Sequence, residues 1–236
     1  MPGAIAKSEF SLPLAVKMVM IDLDGTLINS APDLAASANR MLEALAMPTY
    51  ETEQVARWIG NGVSRLVKRA LTGEMDADPD PELYDRGYKV FLEAYAELVS
   101  DQSRPYPGVV EGLDKLQAAG FQLACITNKA EAFTLPLLKD LDLYKYFELV
   151  LSGDSLPKKK PDPLPLLHAC KHFGITPDHG VLIGDSINDT QAARNAGMPV
   201  LLVPYGYNRG QDVSELEPEA VIQTLEEATE YLTLYS

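Results

Sequence analysis

Val16-Lys17-Met18-Val19-Met20-Ile21-Asp22-Leu23-Asp24-Gly25-Thr26 decides the fold. Its first six residues are a short, apolar, β-branched run, which reads as a buried strand, and the carboxylates begin where the apolar run stops. Two later stretches repeat this design. Gln122-Leu123-Ala124-Cys125-Ile126 ends at Thr127-Asn128, and Val181-Leu182-Ile183 ends at Gly184-Asp185-Ser186. Parallel α/β sheets place ligands at the carboxyl ends of their strands, so the three runs predict one shared crevice. Helical patterns follow: Val109 to Ala119 before Gly120, Ala130 to Leu141, Leu164 to Phe173 before Gly174, and Asp189 to Ala196 before Gly197. With a further strand at Val200 to Val203 and a candidate at Leu149 to Leu151, the alternation predicts a doubly wound parallel α/β sheet.

Between Asp33 and roughly Ser103 the pattern is helix after helix, too long for a crossover loop. It predicts an inserted small α-helical domain over residues 31–104, with the sheet domain formed by residues 1–30 and 105–236. Asn29-Ser30-Ala31-Pro32 and Arg104-Pro105-Tyr106-Pro107-Gly108 mark the joints, because proline and glycine there oppose continued helix. No internal repeat or low-complexity tract is visible.

The 236 residues include 34 acidic and 20 basic side chains, a formal net charge of −14. Such a charge repels nucleic acid and anionic membrane, and points to a small substrate. An anionic substrate then needs local positive charge, from a bound cation and a few placed lysines. Cys125 and Cys170 lie in apolar surroundings outside any CxxC pair, as buried reduced thiols do. Neither a signal peptide nor an apolar run of membrane-spanning length is visible, so the expected location is the cytoplasm. Oligomeric state is not readable from the sequence.

Alternation along a strand brings Asp22 and Asp24 to the same side. Two carboxylates that close repel unless a cation binds or one keeps its proton, which yields a nucleophile beside an acid/base. Gly184-Asp185-Ser186-Ile187-Asn188-Asp189 adds two more acids at a strand end. Mg²⁺ takes oxygen ligands and keeps several waters, so one or two of these acids with Asp22 suffice to bind it. Taken singly, Asp185 reads equally as a turn residue and Asp189 as a helix N-cap. Thr127 can donate its hydroxyl, and Asn128 its backbone N–H, to a phosphate oxygen. In Lys158-Lys159-Lys160-Pro161 the proline restricts Lys160 most, and Lys158 and Lys159 read as solvated.

In order along the chain, Asp22-Leu23-Asp24-Gly25-Thr26-Leu27, Thr127, Lys160-Pro161 and Gly184-Asp185-Ser186-x-x-Asp189 resemble the four motifs of the haloacid-dehalogenase-like hydrolases. The resemblance spans nearly the whole chain. It implies Asp22 as nucleophile and Mg²⁺ ligand, Asp24 as general acid/base with a metal-binding carbonyl, and Asp185 as the third protein ligand. It implies phosphate contacts from Thr127 and Lys160, places Thr26 and Asn128 among the substrate contacts, and makes Asp189 a supporting residue behind the ligands. An acid at Asp24 favours phosphate ester hydrolysis, whose leaving alkoxide needs a proton.

The insertion resembles the family's small helical cap. Within it, Val63, Leu66, Val67, Ala70 and Leu71 share one helical face, with Arg65, Lys68 and Arg69 off it. Gly60-Asn61-Gly62 precedes that helix and offers free N–H groups to an anion. Trp58 to Val63, with Tyr205-Gly206-Tyr207-Asn208-Arg209-Gly210, resembles phosphoglycolate phosphatases and implies 2-phosphoglycolate, whose carboxylate Gly60 to Val63 and Arg65 would hold. The alternatives are a sugar-phosphate phosphatase, a phosphomutase and, from another class, a phospho-accepting signalling module. Signalling modules of that kind are much shorter and are phosphorylated after a central strand in the chain order.

Overall fold

In the computed structural model, which describes residues 10–208 and 210–235, the opening apolar run divides at Lys17 into β1 (Leu14–Val16) and β2 (Met18–Ile21). The first nine residues, which belong to the predicted sheet domain and to the stretch read for a signal peptide, lie outside the described residues, as does Arg209. All four residues of β2 are buried, as an apolar strand covered on both faces must be. The chain then turns sharply, with the amides of Thr26, Leu27 and Ile28 all donating to the Leu23 carbonyl, and enters β3 (Ile28–Asn29). Four helices follow without a strand: α1 (Ala31–Ala44), α2 (Thr52–Ala56), α3 (Val63–Thr72) and α4 (Pro81–Leu98). The return is through β4 (Arg104–Pro105), antiparallel to β3. Buried Asp33 ties the two ends of this insertion by accepting from the amides of Gln102 and Ser103 and from the Ser103 hydroxyl.

Strands and helices then alternate: α5 (Val109–Ala118), β5 (Gln122–Ile126), α6 (Glu131–Asp140), β6 (Leu149–Leu151) and α7 (Leu164–Phe173). After them come β7 (Gly180–Gly184), α8 (Ile187–Ala196), β8 (Val200–Leu202), β9 (Ala220–Val221), α9 (Ala228–Tyr231) and β10 (Leu232–Leu234). The six-stranded sheet has the order β6-β5-β2-β7-β8-β9 and is parallel throughout. Strand order reverses at β2, so the carboxyl ends of β2, β5 and β7 border the crevice that open α/β sheets use for ligands. Ile21 is in register with Cys125 and with Ile183, which brings Asp22, Thr127 and Asp185 out at nearly one level.

Alternate strand residues feed two apolar layers. Val19, Ile21, Leu123, Cys125, Val181 and Ile183 face a core that continues into the insertion through Leu34, Phe91 and Tyr95. Met18, Met20, Ala124, Ile126 and Leu182 face the other side, packed on α7 and α8 by Leu166, Ala169 and Ala192. Among the described residues no helix is long and apolar enough to cross a membrane.

Two differences from the sequence reading have local causes. Val16 leaves the main sheet because β1 pairs instead with β10, a three-residue strand too short to show a periodicity. The helix expected from Asp189 begins at Ile187, since Ser186 is its N-cap and Asp189, at the third helical position, completes a capping box with it.

Candidate active site

Asp22 leaves β2 with its side chain 13% exposed. Its Oδ1 accepts from the Leu23 amide at 2.7 Å and lies 2.9 Å from Lys160 Nζ. Lys160, on the loop between β6 and α7, is almost wholly buried and also donates to Asp189 Oδ1 and to the Ile126 carbonyl, each at 2.7 Å. Burial disfavours the ammonium, yet Asp189 and Asp22 together outweigh it and push its pKa up. Asp189 is fixed from its other oxygen by Ser186, whose hydroxyl and amide donate to Oδ2 at 2.6 and 3.1 Å. It therefore ties Lys160 to the loop of Asp185.

Asp185 is buried, with Thr26 Oγ1 donating to Oδ1 at 3.3 Å and the Tyr207 amide donating to Oδ2. Two glycines make this packing possible. A Cβ on Gly25, whose φ is +91°, would stand 2.3 Å from Asp185 Oδ2, and one on Gly206 would stand equally close. Thr26, 1% exposed, thus holds an acid instead of facing a substrate. Its hydroxyl, placed by the tight turn after Leu23, finds the carboxylate first.

Oxygens of Asp22, Asp185 and Asp189 lie within 4.8 Å of one another. Burial, with the negative charge of Asp189 added and Lys160 opposing, raises Asp22 to about 7. Burial, then Asp189 and Asp22, raises Asp185 well above the usual carboxylate range. One ammonium does not neutralise three close acids. An all-oxygen donor set with excess negative charge fits a hard divalent cation such as Mg²⁺.

A pocket opens above Asp22 between sheet and insertion. Asp24, Thr127, Asn128 and Lys129 form its sheet side, and Leu34, Ile59, Gly60, Gly62, Val63 and Leu66 close it from the insertion. Asp24 is held by Ser30 Oγ, 2.6 Å from Oδ1, and by Lys129 Nζ, 3.1 Å from both oxygens. The Gly60-Asn61-Gly62 loop is fastened to the sheet domain from three sides. Asn128 Nδ2 and Asn188 Nδ2 donate to the Gly60 carbonyl at 3.3 and 3.1 Å, and Lys159 Nζ donates to the Asn61 carbonyl at 3.0 Å. Asn128 Nδ2 also donates to the Lys160 carbonyl at 2.9 Å, so its side chain links the loop after β5, the Lys160 loop and the insertion.

Lys159 is exposed, in keeping with its reading as a solvated lysine, and its ammonium reaches the Asn61 carbonyl. Two expectations are corrected. Arg69, read as part of an outward basic face, is buried, donating to the Trp58 and Met75 carbonyls and to Asn61 Oδ1, so it shapes the loop from behind. Arg65 is not brought to the pocket: Asp76 at 3.1 Å and Asp78 at 3.6 Å attract its guanidinium to the surface. Exposed ion pairs contribute little, so Arg65→Ala is expected to keep kcat/KM for any substrate within about fivefold of wild type, read in a steady-state phosphate-release assay.

The family model described as haloacid dehalogenase-like hydrolase matches residues 19–203, a span that holds every strand-end acid above. The chain belongs to this family. It is 60% identical over 223 residues to a phosphoglycolate phosphatase of Thiobacillus denitrificans, covering 94% of this chain and 98% of that one. It is 54% identical to a phosphoglycolate phosphatase of Nitrosospira multiformis, over 93% of this chain and 97% of the other. Among solved structures, a predicted phosphoglycolate phosphatase from Haemophilus somnus superposes with a TM-score of 0.86 at 34% identity, covering 91% of this chain and 97% of its own. Membership of this family accounts for the mixed α/β fold with its parallel sheet. Lys129, Tyr95 and Lys159 escape a motif search because each acts on a residue distant in sequence.

Proposed function

We propose that the chain is a Mg²⁺-dependent phosphatase acting on a small phosphomonoester, 2-phosphoglycolate before others, with Asp22 as a covalent nucleophile. The observation that carries this is the setting of Asp22: a lysine on one side, an acid cluster beside it, and a second carboxylate, Asp24, in the same pocket. An Asp22 oxygen attacks phosphorus, the ester P–O bond breaks, and Asp24 gives a proton to the departing alkoxide. Asp24 then takes a proton from the water that attacks phosphorus, which frees phosphate and restores Asp22. Thr127 and Lys160 hold the phosphoryl oxygens through hydrogen bonds and charge as the group transfers. Asp22, Asp185 and the Asp24 carbonyl would hold Mg²⁺, which when bound supplies positive charge against the phosphate.

The helical segment 31–104 serves as a cap on the domain formed by residues 1–30 and 105–236, excluding water from the pocket. Its Gly60 to Val63 turn, at the amino end of the ten-residue α3, presents backbone N–H groups to the substrate carboxylate. The apolar wall of Leu34, Ile59, Val63 and Leu66 offers nothing to a sugar's hydroxyls, which supports the smaller substrate over a sugar-phosphate phosphatase or phosphomutase. The names of the similar proteins support the same choice. The buried free thiols Cys125 and Cys170 support a cytoplasmic setting.

Phosphate release from a panel of small phosphomonoesters tests this reading. Turnover of 2-phosphoglycolate is expected to exceed that of hexose phosphates, to vanish in EDTA and to return with added Mg²⁺. Absence of Mg²⁺-dependent release from every ester in the panel would refute it.

A further inference from the structure

Lys129 follows Thr127 and Asn128 on the loop after β5, and its side chain is only 2% exposed. A buried ammonium needs partners for its charge and for three donors. Nζ lies 3.1 Å from each oxygen of Asp24 and also donates to the Tyr95 hydroxyl. Nζ also stands 4.8 Å from the centre of the Tyr95 ring. Tyr95 belongs to α4 of the insertion and is fully buried, its ring against Phe91 and Phe133.

A carboxylate on a loop swings about two side-chain torsions, while proton delivery needs it placed within a fraction of an ångström. Equal contacts from one ammonium to both oxygens fix the plane of the Asp24 carboxylate, and the Ser30 hydroxyl pins Oδ1. Ser30 stands at the entry to α1 and Tyr95 on α4, so the supports of Asp24 lead to the insertion at both of its ends. We propose that Lys129, held in turn by Tyr95, is the positioning residue for Asp24, and that this chain of contacts makes the placement of the acid depend on the seating of the helical insertion. The inference rests on the phosphatase reading above. It gives Lys129 no part in binding phosphate: its work is done through Asp24.

Leaving-group dependence tests it. kcat/KM covers the steps through departure of the alcohol and so isolates the first proton transfer. 2-Phosphoglycolate and 2-hydroxyethyl phosphate release basic alkoxides that need a proton, and only the first carries a carboxylate. 4-Nitrophenyl phosphate releases a stable phenolate. Lys129→Met is expected to lower kcat/KM for both alkyl esters by about 10²-fold, with a loss at least about tenfold smaller on the aryl ester. Tyr95→Phe, which keeps the ring and removes the hydroxyl, is expected to show the same ordering with smaller losses. Equal losses on the three esters mark a merely structural role, and a loss confined to 2-phosphoglycolate marks direct carboxylate binding; either overturns the proposal. If Lys129→Met does not fold by circular dichroism, Tyr95→Phe decides by the same ordering. Wild-type protein inactive on all three esters overturns the phosphatase reading and this inference with it, whereas active wild type with unselective variants overturns this inference alone.

Discussion

Asp22→Asn is expected to lower kcat for phosphate release by about 10⁴- to 10⁶-fold, the scale of losing a covalent nucleophile. The amide is nearly isosteric and its oxygen can still accept from Lys160, so the site keeps its shape while the attacking oxygen loses its charge. Stability moves the other way in metal-free buffer. Burial raises Asp22 to about 7, above its unfolded value, so the folded state binds the more protons between those two pH values. Its contribution to stability therefore falls as pH rises through that window, and above the folded pKa the full penalty remains. Asparagine removes it. Thermal melts in EDTA are expected to give the variant a higher Tm than wild type at pH 8, with a smaller difference at pH 5. A variant retaining more than about one-hundredth of wild-type kcat would sink the nucleophile assignment.

Three of the residues that sequence made legible share one property: each stands where an apolar strand run ends. Asp22, Thr127 and Asp185 are placed by backbone register alone, and register follows from the alternation of buried side chains. Lys160 and Asp189 were readable as motif members, while their mutual bond, spanning two loops, was not. Lys129 gave no signal because its partners, Asp24 and Tyr95, lie in another strand loop and in the insertion. Arg65 and Arg69 mislead for a related reason. Helical periodicity tells which residues leave the apolar face, but the carbonyls of Trp58 and Met75 drew Arg69 inward, and acids at Asp76 and Asp78 drew Arg65 outward. The Gly60-Asn61-Gly62 loop itself was visible through its glycines, and both stand at positive φ, +115° at Gly60 and +85° at Gly62.

Lys160→Met should damage activity and stability together. Its ammonium is the positive charge shared by Asp22 and Asp189, and Asp189 is wholly buried. Removing one partner of a buried pair costs about 3–5 kcal/mol, since the remaining carboxylate keeps its desolvation without its counter-charge. Loss of the same charge at the phosphoryl group is expected to lower kcat by about 10³-fold. Without Lys160 the opposing influence on the Asp22 pKa is gone, so that carboxyl titrates higher still and the destabilisation grows from pH 5 to pH 8. A cation in the acid cluster offsets part of the deficit. The rise in Tm on adding Mg²⁺ should therefore be larger for Lys160→Met than for wild type, because linkage converts tighter binding into stability. Lys159→Met is the contrast: exposed, with a carbonyl as its partner, it is expected to lose no more than about 1 kcal/mol and to keep wild-type sensitivity to Mg²⁺. If the two lysine variants melt alike at every pH and Mg²⁺ concentration, the acid cluster is not what Lys160 balances.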